Sequence, residues 1–114
     1  MEDFLIEHCS PTLAGIKIAN LFSFVCNSEQ ELNLHMEISN KKLNDKGVFL
    51  EILYNDSKRV VIYVYRKSKL EEELKKTETS DFLLLYGYEH NSVEYCIKYL
   101  KKRYLYNGSF PHEI

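Results

Sequence analysis

His8 and Cys9 open the segment "HCSPTLAGIK", and side by side they make the strongest claim to reactivity in the chain. The thiolate is the reactive form of cysteine, and helix-terminal N–H groups or a neighbouring imidazolium favour it. Ser10 is a good N-cap and Pro11 suits the first helical position, which puts Cys9 just before a helix start. An inert reading fits the same residues. Free cysteine is among the most buried residue types, and here it precedes a capped, apolar helix. Cys9 is therefore expected to be mostly buried and slow to react at neutral pH, since apolar surroundings raise a thiol pKa and block access. Elsewhere the sequence supplies no convergent acid, base and nucleophile set and no phosphate-binding loop.

Metal chemistry has donors but no pattern. His8, Cys9, His90, Cys96 and His112 are competent ligand types, yet the chain contains no C-x-x-C and no H-x-x-x-H, so no metal or cofactor site is read. His35 falls on an apolar stripe and reads as a core or boundary histidine. "KKRYLY", Lys101 to Tyr106, mixes basic and aromatic groups that can hold phosphate and stack a base. The same residues offset a helix dipole at a C-terminus. In "FPHEI" His112 and Glu113 are adjacent in an extended segment, which points them to opposite sides.

Lys and Arg total 15 against 17 Asp and Glu, a formal charge of −2 with no domain-wide basic footprint, so no nucleic-acid role is read. The start "MEDFLIEHCSP" is acidic without a long apolar run, unlike a secretory signal, and no stretch is apolar enough to span a bilayer. The expected setting is cytoplasmic and away from membranes. Three cysteines at wide spacings, Cys9, Cys26 and Cys96, are an odd number and imply reduced thiols. With 114 residues and 45% hydrophobic content, residues 1–114 are expected to form a single compact domain.

The elements that must position these groups follow from local signals. A helix is expected from Pro11 to Asn20, surrounded by Leu13, Ala14, Ile16, Ile18 and Ala19, and "NLFSFV" then reads as a brief strand. Ser28 and Glu31 form a capping box for a helix whose stripe is Leu32, His35, Met36, Ser39 and Leu43. Gly47 to Arg66 predicts an antiparallel hairpin turning at Asn55 to Lys58. Its second strand is apolar on both faces, Val60, Ile62 and Val64 against Val61, Tyr63 and Tyr65, and should be covered on two sides. Ser68 and Glu71 suggest another capped helix bearing Leu70 and Leu74, with Lys75 and Lys76 at its end. "SDFLLLYGY" reads as a short helix ended by Gly87. Asn91 and Glu94 cap a last helix with the inward stripe Val93, Cys96, Ile97, Leu100 and Tyr104. Tyr95 and Tyr99 fall off that stripe and are the candidate interaction surface, for a homodimer or a protein partner. The fold class is α+β, an antiparallel hairpin or three-stranded sheet packed against several short helices.

Taken together, "HCSPTLAGIK", "VVIYVYR", "LLLYGY" and "FPHEI" give the chain its resemblance to an uncharacterised bacterial family, domain of unknown function 3793, along its whole length. The resemblance implies no activity, substrate or cofactor. It also implies that family members continue past "FPHEI" into a glycine- and aromatic-rich segment, so this chain is expected to lack a C-terminal cover and to self-associate through the surface left bare. Two functions fit these residues. The first is a cytoplasmic, non-catalytic binding or protein-interaction module, favoured by the missing catalytic set. The second is a small thiol-dependent or redox-linked enzyme using Cys9 with His8.

Overall fold

The strand composition of the middle third builds the centre of the molecule. The computed structural model describes residues 2–56, 59–74 and 93–107, with side chains for all of these except 2, 95, 99 and 103–107. Its elements are α1 (Glu2–His8), α2 (Ser10–Leu13), β1 (Ala19–Phe24), α3 (Glu29–Leu43), a 3₁₀ turn (Asn44–Lys46), β2 (Val48–Asn55), β3 (Val60–Arg66), α4 (Lys67–Leu74) and α5 (Val93–Asn107). The three strands form one antiparallel sheet in the order β1-β3-β2, so the protein is α+β.

The most apolar strand takes the middle. Every residue from Val60 to Tyr65 is buried, because β3 has strands on both edges and a core on each face. Val60, Ile62 and Val64 join Leu5, Cys9, Phe22, Leu32, Met36, Leu43, Val48 and Leu50 on the face covered by α1 and α3. Val61, Tyr63 and Tyr65 join Leu21, Leu70, Leu74, Cys96, Ile97 and Leu100 on the face covered by α4 and α5. Strict alternation of side chains along a strand makes this division from sequence alone. A bulge in β2 between Ile52 and Tyr54 interrupts the alternation there, so Leu53 and Tyr54 pack against the same core.

The capping box at Ser28 forms as expected: its Oγ accepts from the Glu31 N–H at 3.2 Å. In α3 the buried positions are Leu32, Met36, Ser39 and Leu43, while His35 stays at the boundary, its Nε2 3.9 Å from Glu31 Oε1. One turn further along, Asn40 reaches the edge of the sheet. Its Oδ1 accepts from Leu50 N–H at 2.9 Å and its Nδ2 donates to Leu50 C=O at 3.2 Å, which satisfies both outward backbone groups of that residue. Gly47 follows the 3₁₀ turn with φ +78°, the left-handed conformation that turns the chain into β2.

Three sequence expectations are corrected. The helix expected from Pro11 to Asn20 is only the short α2, Ser10–Leu13, because Gly15 takes φ +78° and the chain leaves the helical path. Residues Ala19 and Asn20 belong instead to β1, and Ile16, expected on a buried helix, is 79% exposed. Cys9, not Ser10, occupies the cap position of α2, and no side-chain cap bond is made there. Likewise Ser68 lies inside α4, which starts at Lys67 directly after β3. The sequence expectations do not include α1, although its buried Leu5 lies one turn before Cys9, just past its end. The helix expected at "SDFLLLYGY", the basic helix end at Lys75 and Lys76 and the cap at Asn91 lie outside the described residues, as do His90, His112 and Glu113.

Candidate functional site

Cys9 sits at the joint between α1 and α2 with its side chain turned into the core. It is fully buried, and its Sγ donates to Leu5 C=O at 3.0 Å, one helical turn back. Burial pushes the thiol up to about 12, because the charged thiolate would lose its hydration without gaining a cation. At neutral pH such a group is a protonated, packed hydrophobe.

His8 is turned the other way. It is exposed, and its Nδ1 lies 2.9 Å from Phe4 C=O. A carbonyl accepts only, so Nδ1 carries the proton, and in the neutral ring Nε2 is the remaining acceptor. The ring packs at a tilt against both Phe4 and Phe22, with centroids 4.2 and 5.1 Å away. His8 and Cys9 are therefore neighbours in sequence whose side chains serve different surroundings. The other cysteines do not join them: Cys96 is buried on the opposite face of the sheet, and Cys26 is half-buried with its Sγ donating to Ser28 C=O at 3.4 Å. Among the described residues no group of three or more His, Cys, Asp or Glu is arranged to hold a metal ion.

What the segment does with its polar groups is fix itself to the sheet. Thr12 and Asn20 are buried polar residues; the Thr12 hydroxyl donates to Asn20 Oδ1 at 2.5 Å, and Asn20 Nδ2 donates to His8 C=O at 3.0 Å. Arg66, at the end of β3, reaches three carbonyls. Nε donates to Thr12 at 2.9 Å, Nη2 to Leu13 at 2.7 Å and Nη1 to Lys46 at 3.3 Å. The planar guanidinium suits this task, since its fork of donors can serve several acceptors at once. The backbone adds Arg66 N–H to Ile18 C=O at 2.9 Å. The N–H groups of Ile16 and Lys17 both turn back to Pro11 C=O, at 3.0 and 3.1 Å. The outcome is a tightly bonded loop from Ala14 to Lys17 whose tip presents a bare Ile16.

Thr12, Asn20 and Arg66 were not singled out in the sequence, yet each left a trace. Asn20 heads an otherwise apolar, aromatic strand, and a polar residue buried there requires partners. Arg66 closes the most apolar strand, where a charge needs acceptors. The candidate surface at Tyr95 and Tyr99 lies on α5, where Val93, Cys96, Ile97 and Leu100 are buried among the described side chains; the two tyrosine side chains are outside the described set.

An α+β fold, with a buried thiol at a helix joint and a loop clamped to the sheet by one arginine, is the class of protein these features define. The chain belongs to the family described as Protein of unknown function (DUF3793), which matches over residues 5–114. No curated protein and no solved structure matches it. No helix among the described residues is long and apolar enough to cross a membrane.

Proposed function

We propose that the protein is a non-catalytic binding module that works by protein contact, with a second copy of the chain as its first partner. One observation carries this reading: the segment with the best claim to chemistry turns its thiol into the core and turns an apolar side chain, Ile16, out to water at 79% exposure. A catalytic use of Cys9 would need the reverse arrangement, an accessible thiol with a lowered pKa. In the Ala14 to Lys17 loop Ile16 and Lys17 donate to Pro11 C=O, and Arg66 holds the flanking Thr12, Leu13 and Ile18 carbonyls, so docking through Ile16 pays little for ordering the loop. Tyr95 and Tyr99 on α5 form the second proposed contact, and a two-fold arrangement would let each surface serve both copies. An odd number of cysteines at wide spacings suits a reducing, cytoplasmic setting.

Sedimentation equilibrium over a concentration series tests the reading. The expected result is a mass that rises above that of the monomer with concentration, and falls back in Ile16→Asp and in the double variant Tyr95→Ala, Tyr99→Ala, with unfolding midpoints unchanged. A monomer at every concentration overturns self-association. A thiol-dependent reaction lost in Cys9→Ser without loss of stability would favour the enzyme instead.

A further inference from the structure

Between the α1–α2 joint and β1 lies an open cleft of about 320 Å³, lined by Glu7, His8, Ser10, Pro11, Asn20 and Phe22. Its volume is at the small end of the range for ligand sites. The chemistry of the lining is one-sided. Glu7 brings a carboxylate, and among the described residues no lysine or arginine lines the cleft. The Nδ1 proton of His8 is committed to Phe4 C=O, which fixes the tautomer and leaves Nε2 as a lone-pair acceptor on an exposed ring. The Asn20 carboxamide is already used on both sides, by Thr12 and by His8 C=O. Ser10 is exposed and supplies a hydroxyl that can accept or donate. The walls beside these acceptors are the Phe22 ring, the Pro11 ring and the imidazole, against which Phe4 packs at a tilt of 38°.

Acceptors with one negative charge, set against flat apolar walls, are complementary to a strong donor carried on an apolar stem. We propose that this cleft binds a primary ammonium group, with Glu7 and His8 Nε2 accepting its protons and Phe22 and Pro11 contacting the stem. Such a group arrives either on a small arylalkyl amine or on a lysine side chain of a peptide. This site is separate from the Ile16 and α5 contacts and does not depend on self-association. The tilted contacts of His8 with Phe4 and Phe22 and its Nδ1 bond to Phe4 C=O hold the acceptor in place before any ligand arrives, so little ordering is needed on binding.

Two-dimensional NMR titration, following the backbone amides of His8, Ser10 and Phe22 and the His8 imidazole, tests it with four probes. These are phenethylamine, Nα-acetyl-lysine amide, the neutral N-acetylphenethylamine and the anionic 3-phenylpropionate. The expected result is saturable shifts at those residues with the two amines alone, the tighter one assigning the cleft to a free amine or to a lysine side chain. Glu7→Gln should weaken the amine by about fivefold, the size of an exposed charge pair. His8→Phe, which keeps an aromatic ring against Phe4 and Phe22, should weaken it as well with the unfolding midpoint retained. Shifts that are equal with the neutral or anionic probe, no shifts with either amine, or an unchanged affinity in Glu7→Gln would each overturn the proposal.

Discussion

Replacing Arg66 by alanine removes donors from three backbone carbonyls in two different segments, those of Thr12, Leu13 and Lys46. The two short bonds, 2.9 and 2.7 Å, carry most of the effect, and the bond of 3.3 Å to Lys46 adds little. A hydrogen bond from a charged donor is worth about 1.5–3 kcal/mol. Arg66 is only part-buried, so water can replace some of what is lost and the low end applies to each bond. Two such bonds give a destabilisation of about 3 kcal/mol, a large share of the stability of a domain this size. Urea unfolding followed by far-UV circular dichroism measures it, and hydrogen exchange at Ile16 and Lys17 should speed up in step as the loop loses its anchor. Arg66→Lys should recover less than half of the loss, because one ammonium cannot span acceptors arranged for a planar fork. A loss below about 0.5 kcal/mol in Arg66→Ala, the size of a neutral surface change, would refute the idea that this side chain clamps the loop.

Asn40→Ala should cost about 1–3 kcal/mol in the same unfolding assay, since it strips both partners from Leu50 at the sheet edge; Asn40→Asp, which keeps only an acceptor, should recover part of this. Gly15→Ala should cost about 1 kcal/mol through its left-handed backbone alone, because a Cβ there meets nothing within 4 Å; a stabilised variant would contradict the φ of +78°. Stability should fall at high pH. Cys9 is raised from 9.0 to about 12 and Tyr65, mainly by burial and then by the Glu51 carboxylate, from 10.0 to about 12. A raised folded pKa stabilises below the unfolded pKa, so the loss begins near pH 9 and continues towards 12. Cys9→Ala should flatten the first part of that decline, and an unchanged profile would show that the thiol titrates alike in both states.

The sheet was legible because alternation along "VVIYVYR" assigns each side chain to one of two cores, and a strand apolar on both faces has to be central. The α3 cap was legible for a similar reason, since Ser28 and Glu31 are local to each other. The helix expected from Pro11 to Asn20 failed where two local signals competed. Leu13 to Ala19 carry apolar side chains at every helical angle, but Gly15 permits a left-handed turn, and the sheet gains more by recruiting Ala19 to Phe24 as a third strand than a short helix would gain alone. At the candidate site, the burial of Cys9 followed from its apolar surroundings. The clamp did not, because Arg66 lies more than fifty residues from Thr12 and Leu13, and nothing in the spacing of either segment announces the other. Asn20 was the available hint, a polar residue in an apolar strand whose partners had to come from somewhere.

The direct test of whether "HCSPTLAGIK" is a folded lock or a thiol site is the rate at which each cysteine is alkylated at neutral pH, read by mass spectrometry on the native protein. Cys26, half-buried beside the start of α3, should react first, while Cys9 should be labelled only as fast as the molecule opens, with a rate that rises in urea and in Arg66→Ala. Labelling of Cys9 in the native protein as fast as that of a cysteine in an unfolded chain would contradict its place in the core and return the segment to chemistry.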